Sequence, residues 1–226
     1  MLFNRRDQSD RSKPKSYIAL SSEEAQQYEF VVLNNPVFMQ GFALAPIIAV
    51  CTDVRTALMF AMVGSIIIYP TRIIGDLTVG YIKTRLRIMI YALTGAIFTI
   101  PALLLAYHTF ETDFIVAGIY LLMLFLDQAV TWRSGVARRE GIRVIFWNAF
   151  KTILGYSLSV CLIGTLREFL AFGSFADMKL LSAGPLPIAS TVPGGFLIVG
   201  IIAAAWQKFS DIAKKLFFMG GKKNAK

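Results

Sequence analysis

Four polar side chains inside apolar stretches are the residues of this sequence best placed to do chemistry. Asp127 and Gln128 end one such stretch, and Arg167 and Glu168 interrupt another. An ionisable group in an apolar, membrane-like environment costs a few kcal/mol and therefore needs a partner or a function. Asp127 could pair with Arg133 at an interface or belong to an ion or electron path. Arg167 and Glu168 could pair between helices or between subunits, or could handle ions.

A second group of polar residues lies in the first apolar segment. Asn35, Pro36, Gln40 and Pro46 occur where a regular helix would place apolar residues. Proline removes a backbone donor, and polar side chains are rare in contact with lipid. The pattern predicts a short or broken helix whose irregular backbone is covered by protein or lines a polar cavity. Further along, Pro193-Gly194-Gly195 predicts a turn that opens the last apolar segment and lets another backbone approach closely.

Metal, haem and disulfide chemistry are poorly supported by composition. The sequence has two cysteines, Cys51 and Cys161, and both lie in apolar runs. A disulfide framework needs several cysteines in extracellular loops, and an iron–sulfur cluster usually takes four thiolates. The single histidine, His108, rules out a His-rich site. We expect no metal bound by this chain alone, no catalytic residue, and two cysteines that serve as packing residues.

The chain that positions these groups is strongly apolar. Of its 226 residues 56% are hydrophobic and 16% charged, whereas soluble domains contain about 25% charged residues. The fold class predicted is an all-α integral membrane protein with six transmembrane helices. Residues 1–30 form a basic N-terminal segment without the apolar core of a signal peptide, 31–207 the membrane domain and 208–226 a basic tail. The predicted spans are 31–52, 56–75, 87–107, 114–132, 148–172 and 189–207.

The lysines and arginines predict the orientation. If the N terminus is cytoplasmic, 18 of the 23 basic residues fall in cytoplasmic segments, as the positive-inside rule requires. We therefore expect a multi-pass protein of the inner (cytoplasmic) membrane with both termini inside. No motif or aromatic interleaving points to a nucleic-acid partner.

The six spans divide into two sets of three at the acidic loop 108–113. An odd number of spans in each half would invert one half relative to the other, as in many transporters. Each half, 31–107 and 114–207, would start with an irregular span, the first and the fourth. We therefore expect two inverted three-helix repeats with short or broken helices one and four.

Three spans carry recognisable motifs in register. The first span carries Asn35-Pro36-Val37, Ala45-Pro46 and Val50-Cys51-Thr52, and the fifth carries Gly164-Thr165-Leu166-Arg167-Glu168-Phe169 followed by Gly173. The sixth begins with Pro193-Gly194-Gly195-Phe196. These motifs resemble those of the Rnf/Nqr family of ion-translocating electron-transport complexes. The resemblance is strongest to the E-type subunit of Rnf, which is equivalent to the D-type subunit of Nqr.

The resemblance implies a six-helix subunit that pairs with a homologous six-span partner. Together they form the membrane core of a complex that moves electrons between ferredoxin or NADH and a second carrier, coupled to Na⁺ or H⁺ transport. In the family, cysteines on spans one and four hold an iron centre. This chain has Ala45 at the first position and approximately Gln128 at the second. It is therefore expected to be a non-catalytic subunit that holds no cofactor alone, while partner subunits carry flavins and iron–sulfur centres.

Two other functions fit the same sequence. One is a stand-alone secondary transporter whose site lies where spans one and four break, near Asn34, Asn35, Gln40, Asp127 and Gln128. The other is an inert membrane anchor or assembly subunit whose basic inner face docks a soluble partner.

Overall fold

The computed structural model describes residues 35–78, 81–82, 84–131, 141–176, 178–181 and 183–223, and these are mostly helical. The helices are α1 (Leu44–Val50), α2 (Val54–Leu77), α3 (Thr84–Thr131), α4 (Ile142–Phe172) and α5 (Val192–Lys223). Two antiparallel strands of two residues each, β1 (Ser174–Phe175) and β2 (Met178–Lys179), follow α4. A 3-10 turn at Pro187–Ser190 leads into α5. The all-α membrane class is confirmed. The predicted segment 1–30 lies outside the described residues.

Helix α3 consists of two arms joined by a sharp turn. Its 48 residues would measure about 72 Å if straight, more than twice the hydrocarbon thickness of a bilayer. At Phe110 the backbone leaves the helical region, with φ −125° and ψ 25°. A methyl group added to Gly95 would lie 3.2 Å from Cβ of Phe125, thirty residues further along the chain. The helix therefore folds back on itself, and its arms, 84–109 and 111–131, cover most of the residues predicted as the third and fourth spans.

The second arm of α3 differs from the expectation of a short or broken fourth span. Phe110 is the non-helical residue inside α3, and the backbone from 111 to 131 is continuous helix. The reason is that Asp127 and Gln128 are polar but keep their backbone donors, so they do not interrupt the helical hydrogen bonds. Positive φ angles do interrupt them, and in the first span Gly41 and Ala43 have such angles.

The first span is broken as predicted. Asn35 Oδ1 accepts hydrogen bonds from the N–H groups of Val37 and Phe38, and Pro36 follows directly, so a single helical turn starts here. Gly41 (φ +74°) and Ala43 (φ +56°) then end that turn in the left-handed region. Helix α1 begins afterwards and spans only seven residues, about 10 Å, which is too short to cross a bilayer.

Helices α2 and α4 pack against each other in antiparallel directions and form the centre of the core. Gly64 leaves space for the ring of Tyr156, whose hydroxyl donates to the carbonyl of Phe60 at 3.1 Å. At the next residue of each helix, the hydroxyls of Ser65 and Ser157 lie 3.2 Å apart. Close helix approach over a glycine and hydroxyl contacts across the interface are typical of helix packing in membranes.

Two contacts show which loops share a membrane face. Arg55 Nε lies 2.8 Å from Asp113 Oδ2, so the start of α2 and the turn inside α3 are neighbours. The N–H of Val54 donates to Glu168 at 2.8 Å, which adds the end of α4 to the same face. The predicted order of spans requires this grouping. The last helix continues to Lys223, well past the predicted span end at residue 207, because nothing in its sequence stops a helix there.

Candidate functional site around the broken first span

The first end of helix α1 is bound by a carboxylate from a distant part of the chain. Asp127 Oδ2, on the second arm of α3, accepts a hydrogen bond from the N–H of Ala43 at 3.0 Å. Ala43 is the N-cap of α1, and no side-chain cap of its own is present there. N–H groups at a helix start lack partners and carry partial positive charge, so a carboxylate stabilises them. The alternative partner, Arg133, lies outside the described residues.

The other end of α1 is bound by a buried guanidinium. Arg167 is fully buried, and its Nη1 donates to three carbonyls at the end of α1: Ile47 at 3.3 Å, Ile48 at 2.8 Å and Cys51 at 3.0 Å. The last carbonyls of a helix lack partners and carry partial negative charge, which a cation offsets. Its Nε and Nη2 donate to Ala189 and Thr191 in the approach to α5. One side chain of α4 thus joins α1, α4 and the start of α5.

Glu168 binds the start of the next helix, α2, with a negative charge. Its Oε2 accepts the N–H of Val54, the first residue of α2, and its Oε1 accepts the hydroxyl of Ser174 at 3.0 Å. Arg167 therefore meets the negative end of α1, and Glu168 meets the positive end of α2. The contacts described for Arg167 and Glu168 join helices and loops of this chain.

Asn35 and Gln40 belong to the same turn but lie in different environments. Asn35 is fully buried, and its side-chain amide donates to the carbonyl of Gly155 in α4 at 3.1 Å, which fixes the turn before α1 to the core. Gln40 is only partly buried and lies at the end of that turn, three residues from the Ala43 N–H that Asp127 binds. Gln128 is helical, but its side chain lies outside the described part of the chain.

The glycines at the start of α5 provide the close approach that the sequence predicted. A Cβ on Gly195 would lie 2.9 Å from Cζ of Arg167 and 3.1 Å from the carbonyl of Ile48, so the guanidinium packs directly on this backbone. A Cβ on Gly194 would collide with the carbonyl of Ile188. Pro193 lies in the first turn of α5, where its missing N–H is not needed, and Pro46 does the same in α1.

An apolar groove separates α1 from α5. It has a volume of about 340 Å³ and is open on one side. Its lining is aliphatic and aromatic and includes the methyl group of Ala45: Leu44, Ala45, Ile48, Phe196, Val199, Gly200 and Ala203. Ala45 is exposed there, because Asp127 and Arg167 hold α1 with this side facing outward.

Comparison with known proteins identifies the family. A family model described as "Rnf-Nqr subunit, membrane protein" matches residues 26–203, which covers most of the chain from the turn before α1 into α5. The chain belongs to the Rnf-Nqr family. The predicted resemblance is therefore confirmed.

Relatives in the Rnf-Nqr family are similar over nearly their whole length. A protein of Pseudoalteromonas atlantica, named as the E-type component of an ion-translocating oxidoreductase complex, is 24% identical over 81% of this chain and 86% of the relative. The protein of the same name from Haemophilus influenzae strain PittEE is 27% identical, over 80% and 84%. The E-type component of the Na(+)-translocating ferredoxin:NAD(+) oxidoreductase complex of Acetobacterium woodii is 23% identical, over 76% and 89%.

The residues of this Rnf-Nqr chain do not fit an iron–sulfur cluster. Ala45 has a methyl group at the position where the resemblance implies a cysteine, and Cys51, fully buried, is the residue that ends α1. Cys161 is half-buried on α4, and both cysteines are free thiols. Among the described residues, no three His, Cys, Asp or Glu side chains come close enough to hold a metal ion.

The sequence analysis did not identify Asp53, which caps the start of α2 next to this site. Asp53 is the N-cap of α2, and its carboxylate accepts from the N–H of Thr56 at 3.2 Å and from its hydroxyl at 2.7 Å. An aspartate three residues before a threonine at the start of an apolar run is a helix-start signal that could have been detected. Asp53 directly precedes Val54, whose N–H donates to Glu168, and it lies near Arg167.

Proposed function

We propose that this chain is a membrane subunit of a redox-driven, ion-translocating oxidoreductase complex and contributes to its membrane core. The observation that carries the proposal is the extent of the family match, residues 26–203, which includes the broken first span and the whole of α2, α3 and α4. Relatives named as E-type components of such complexes are covered over 84–89% of their length. The similarity thus extends over most of the length of these subunits and is not limited to one segment.

The broken first span is the part of the subunit that we assign to ion or electron passage. Helix ends inside a membrane protein leave polar backbone groups at a depth where a continuous helix would have none. Here Asp127 and Arg167 hold the two ends of α1, and Glu168 holds the start of α2. Gln40 lies three residues before Ala43, whose N–H Asp127 binds, and Gln128 follows Asp127 in the sequence. The contacts of Asp127, Arg167 and Glu168 place charged side chains and helix ends together inside the core, which supports the assignment.

The redox cofactors of the assembly would lie in other subunits. Ala45 and the packing role of Cys51 support a subunit that holds no flavin and no iron–sulfur centre by itself. The partners would include a homologous six-span subunit, and the two inverted halves, 31–107 and 114–207, would give both proteins the same architecture. The antiparallel contact of α2 and α4, one from each half, supports this arrangement. Both termini, with the segments 1–30 and 208–226, would face the cytoplasm.

Affinity purification and ion transport test the proposal together. A tagged chain expressed in its native host should co-purify with a second six-span protein and with flavin-bearing subunits. Inverted membrane vesicles should take up Na⁺ or H⁺ when NADH or reduced ferredoxin is supplied. Deleting the chain should abolish that uptake, and expressing it again should restore it.

Two results would contradict the proposal. Donor-driven ion uptake that is unchanged after deletion would exclude a place in the membrane core. Solute flux by the purified chain in liposomes without any redox donor would instead support the stand-alone transporter.

A further inference from the structure

The segment that leads into α5 runs back along the last turns of α4. The N–H of Leu186 donates to the carbonyl of Leu170 at 2.8 Å. Three residues further along this segment, the carbonyl of Ala189 accepts a hydrogen bond from Nε of Arg167 at 3.1 Å. The two contacts step along α4 in the direction of its N-terminus. Residues 184–191 therefore lie beside the end of α4 and not beyond it.

Helix α5 needs these residues to cross the membrane. The sequence from 180 to 207 contains no charged residue, and Trp206 and Lys208 are of the types that mark a membrane surface. Helix α5 begins only at Val192, so its rise to Lys208 is about 24 Å, whereas the hydrocarbon core of a bilayer is about 30 Å thick. The non-helical residues before Val192 must cover the remaining distance of about 6 Å. This places residues 184–191 at the depth of the acyl chains.

Proline and internal hydrogen bonds reduce the polar character of this segment. Pro185 and Pro187 have no N–H group that would need a partner. The hydroxyl of Ser190 donates to the carbonyl of Pro187 at 2.8 Å. The N–H and the hydroxyl of Thr191 both donate to the carbonyl of Ile188, at 3.0 Å and 2.7 Å. Irregular backbone persists at membrane depth only where its polar groups find partners within the protein, and these groups have them.

The large side chains that the segment turns outward are apolar. Leu186 is 48% exposed and Ile188 is 51% exposed, and Val192 at the start of α5 continues this surface. A transmembrane helix of a partner packs on small residues and bonds to available hydroxyls. None of these three side chains is small, and the hydroxyls of the segment already bond to its own carbonyls. The surface therefore fits acyl chains better than a partner helix.

We propose that residues 184–191 form a non-helical entry into the sixth span that lies within the bilayer, where Leu186 and Ile188 contact lipid acyl chains. Arg167 donates from the core side to two carbonyls of the same segment. The segment thus separates that guanidinium from the lipid. Acyl chains packed on the outer side of the segment exclude water from these hydrogen bonds.

Spin labelling of the full chain in phosphatidylcholine vesicles, with any co-purifying subunits retained, tests the position of the segment. In a Cys51→Ser, Cys161→Ser background, a nitroxide is attached at Leu186→Cys or at Ile188→Cys. Power saturation then compares collisions with oxygen, which concentrates in hydrocarbon, and with a water-soluble nickel chelate. We expect collisions with oxygen to be several times more frequent than collisions with nickel at both positions. Leu197→Cys, exposed on α5, should give a similar ratio.

Three outcomes would overturn the proposal. Frequent collisions with nickel at positions 186 and 188, as expected for the exposed Glu111→Cys, would place the segment in water. Infrequent collisions with both reagents would show that protein, and not lipid, covers it. The third outcome needs no variant, because hydroxyl-radical footprinting uses the unaltered chain in the same vesicles. Residues 184–191 should be protected there, and oxidation as fast as that of the acidic loop 108–113 would exclude a position among acyl chains.

Discussion

Asp127 and Arg167 bind opposite ends of the same seven-residue helix. The carboxylate accepts the N–H of Ala43 before α1 begins, and the guanidinium donates to the carbonyls of Ile48 and Cys51 where it ends. The signs match the helix dipole, negative charge at the N-terminus and positive charge at the C-terminus. A helix of this length is not stable on its own, so these contacts and the packing around it determine where it lies.

Replacing Arg167 should destabilise the protein more than any other single charge removal in the described residues. Arg167→Met leaves the carbonyls of α1 and of Ala189 without a donor, at a cost of at least about 3 kcal/mol. Arg167→Lys should recover only part of this, because lysine lacks the fork that reaches several carbonyls. Thermal unfolding in detergent, followed by tryptophan fluorescence, measures both. The exposed Lys179→Met should change the unfolding temperature little, and an equal change would contradict the structure.

Asp127 should act through its acceptor oxygen as well as its charge. Asp127→Ala removes the cap of α1 and should lower the free energy of unfolding by about 1–2 kcal/mol. Asp127→Asn keeps an oxygen that can accept the Ala43 N–H and should lose less. Asp211→Ala, at an exposed aspartate of α5, is the control. Equal effects of the alanine and asparagine variants would show that the hydrogen bond to Ala43 contributes nothing.

Two glycines on α5 offer a matched test of the contact with Arg167. Gly195→Ala places a methyl group 2.9 Å from the guanidinium carbon and should destabilise the protein by about 1–3 kcal/mol. Gly200→Ala meets no atom within 4 Å and should be neutral or slightly stabilising, since alanine favours helix. The difference in unfolding temperature between the two variants is the measurement. Similar values would mean that α5 does not pack on Arg167.

The orientation of the chain can be tested with cysteine labelling. In a Cys51→Ser, Cys161→Ser background, Glu111→Cys should react with a membrane-impermeant maleimide added outside intact cells. Arg138→Cys should react only after the membrane is permeabilised, because the basic loop is predicted to face the cytoplasm. The Arg55–Asp113 contact predicts that a cysteine at position 55 reacts from the same side as position 111. Labelling of 55 and 111 from opposite sides would contradict the fold.

Much of the site followed from residue types, because polar groups in apolar segments require partners. Asn35, Asp127, Arg167 and Glu168 were identified in this way, and the structure gives each a backbone partner. The identity of those partners could not be predicted. Asp127 and Ala43 are 84 residues apart, and Arg167 and Ile48 are 119 apart, and no local pattern encodes such pairings.

The sequence alone determined the membrane class, the approximate spans and the break in the first of them. Apolar length, proline and glycine act locally, so their effects can be read along the chain. The tertiary structure decided that the fourth span is a continuous helix and that charges of two other helices hold the ends of α1. Helix ends at membrane depth must find donors and acceptors in neighbouring helices, and which neighbours they meet is a property of the packed fold.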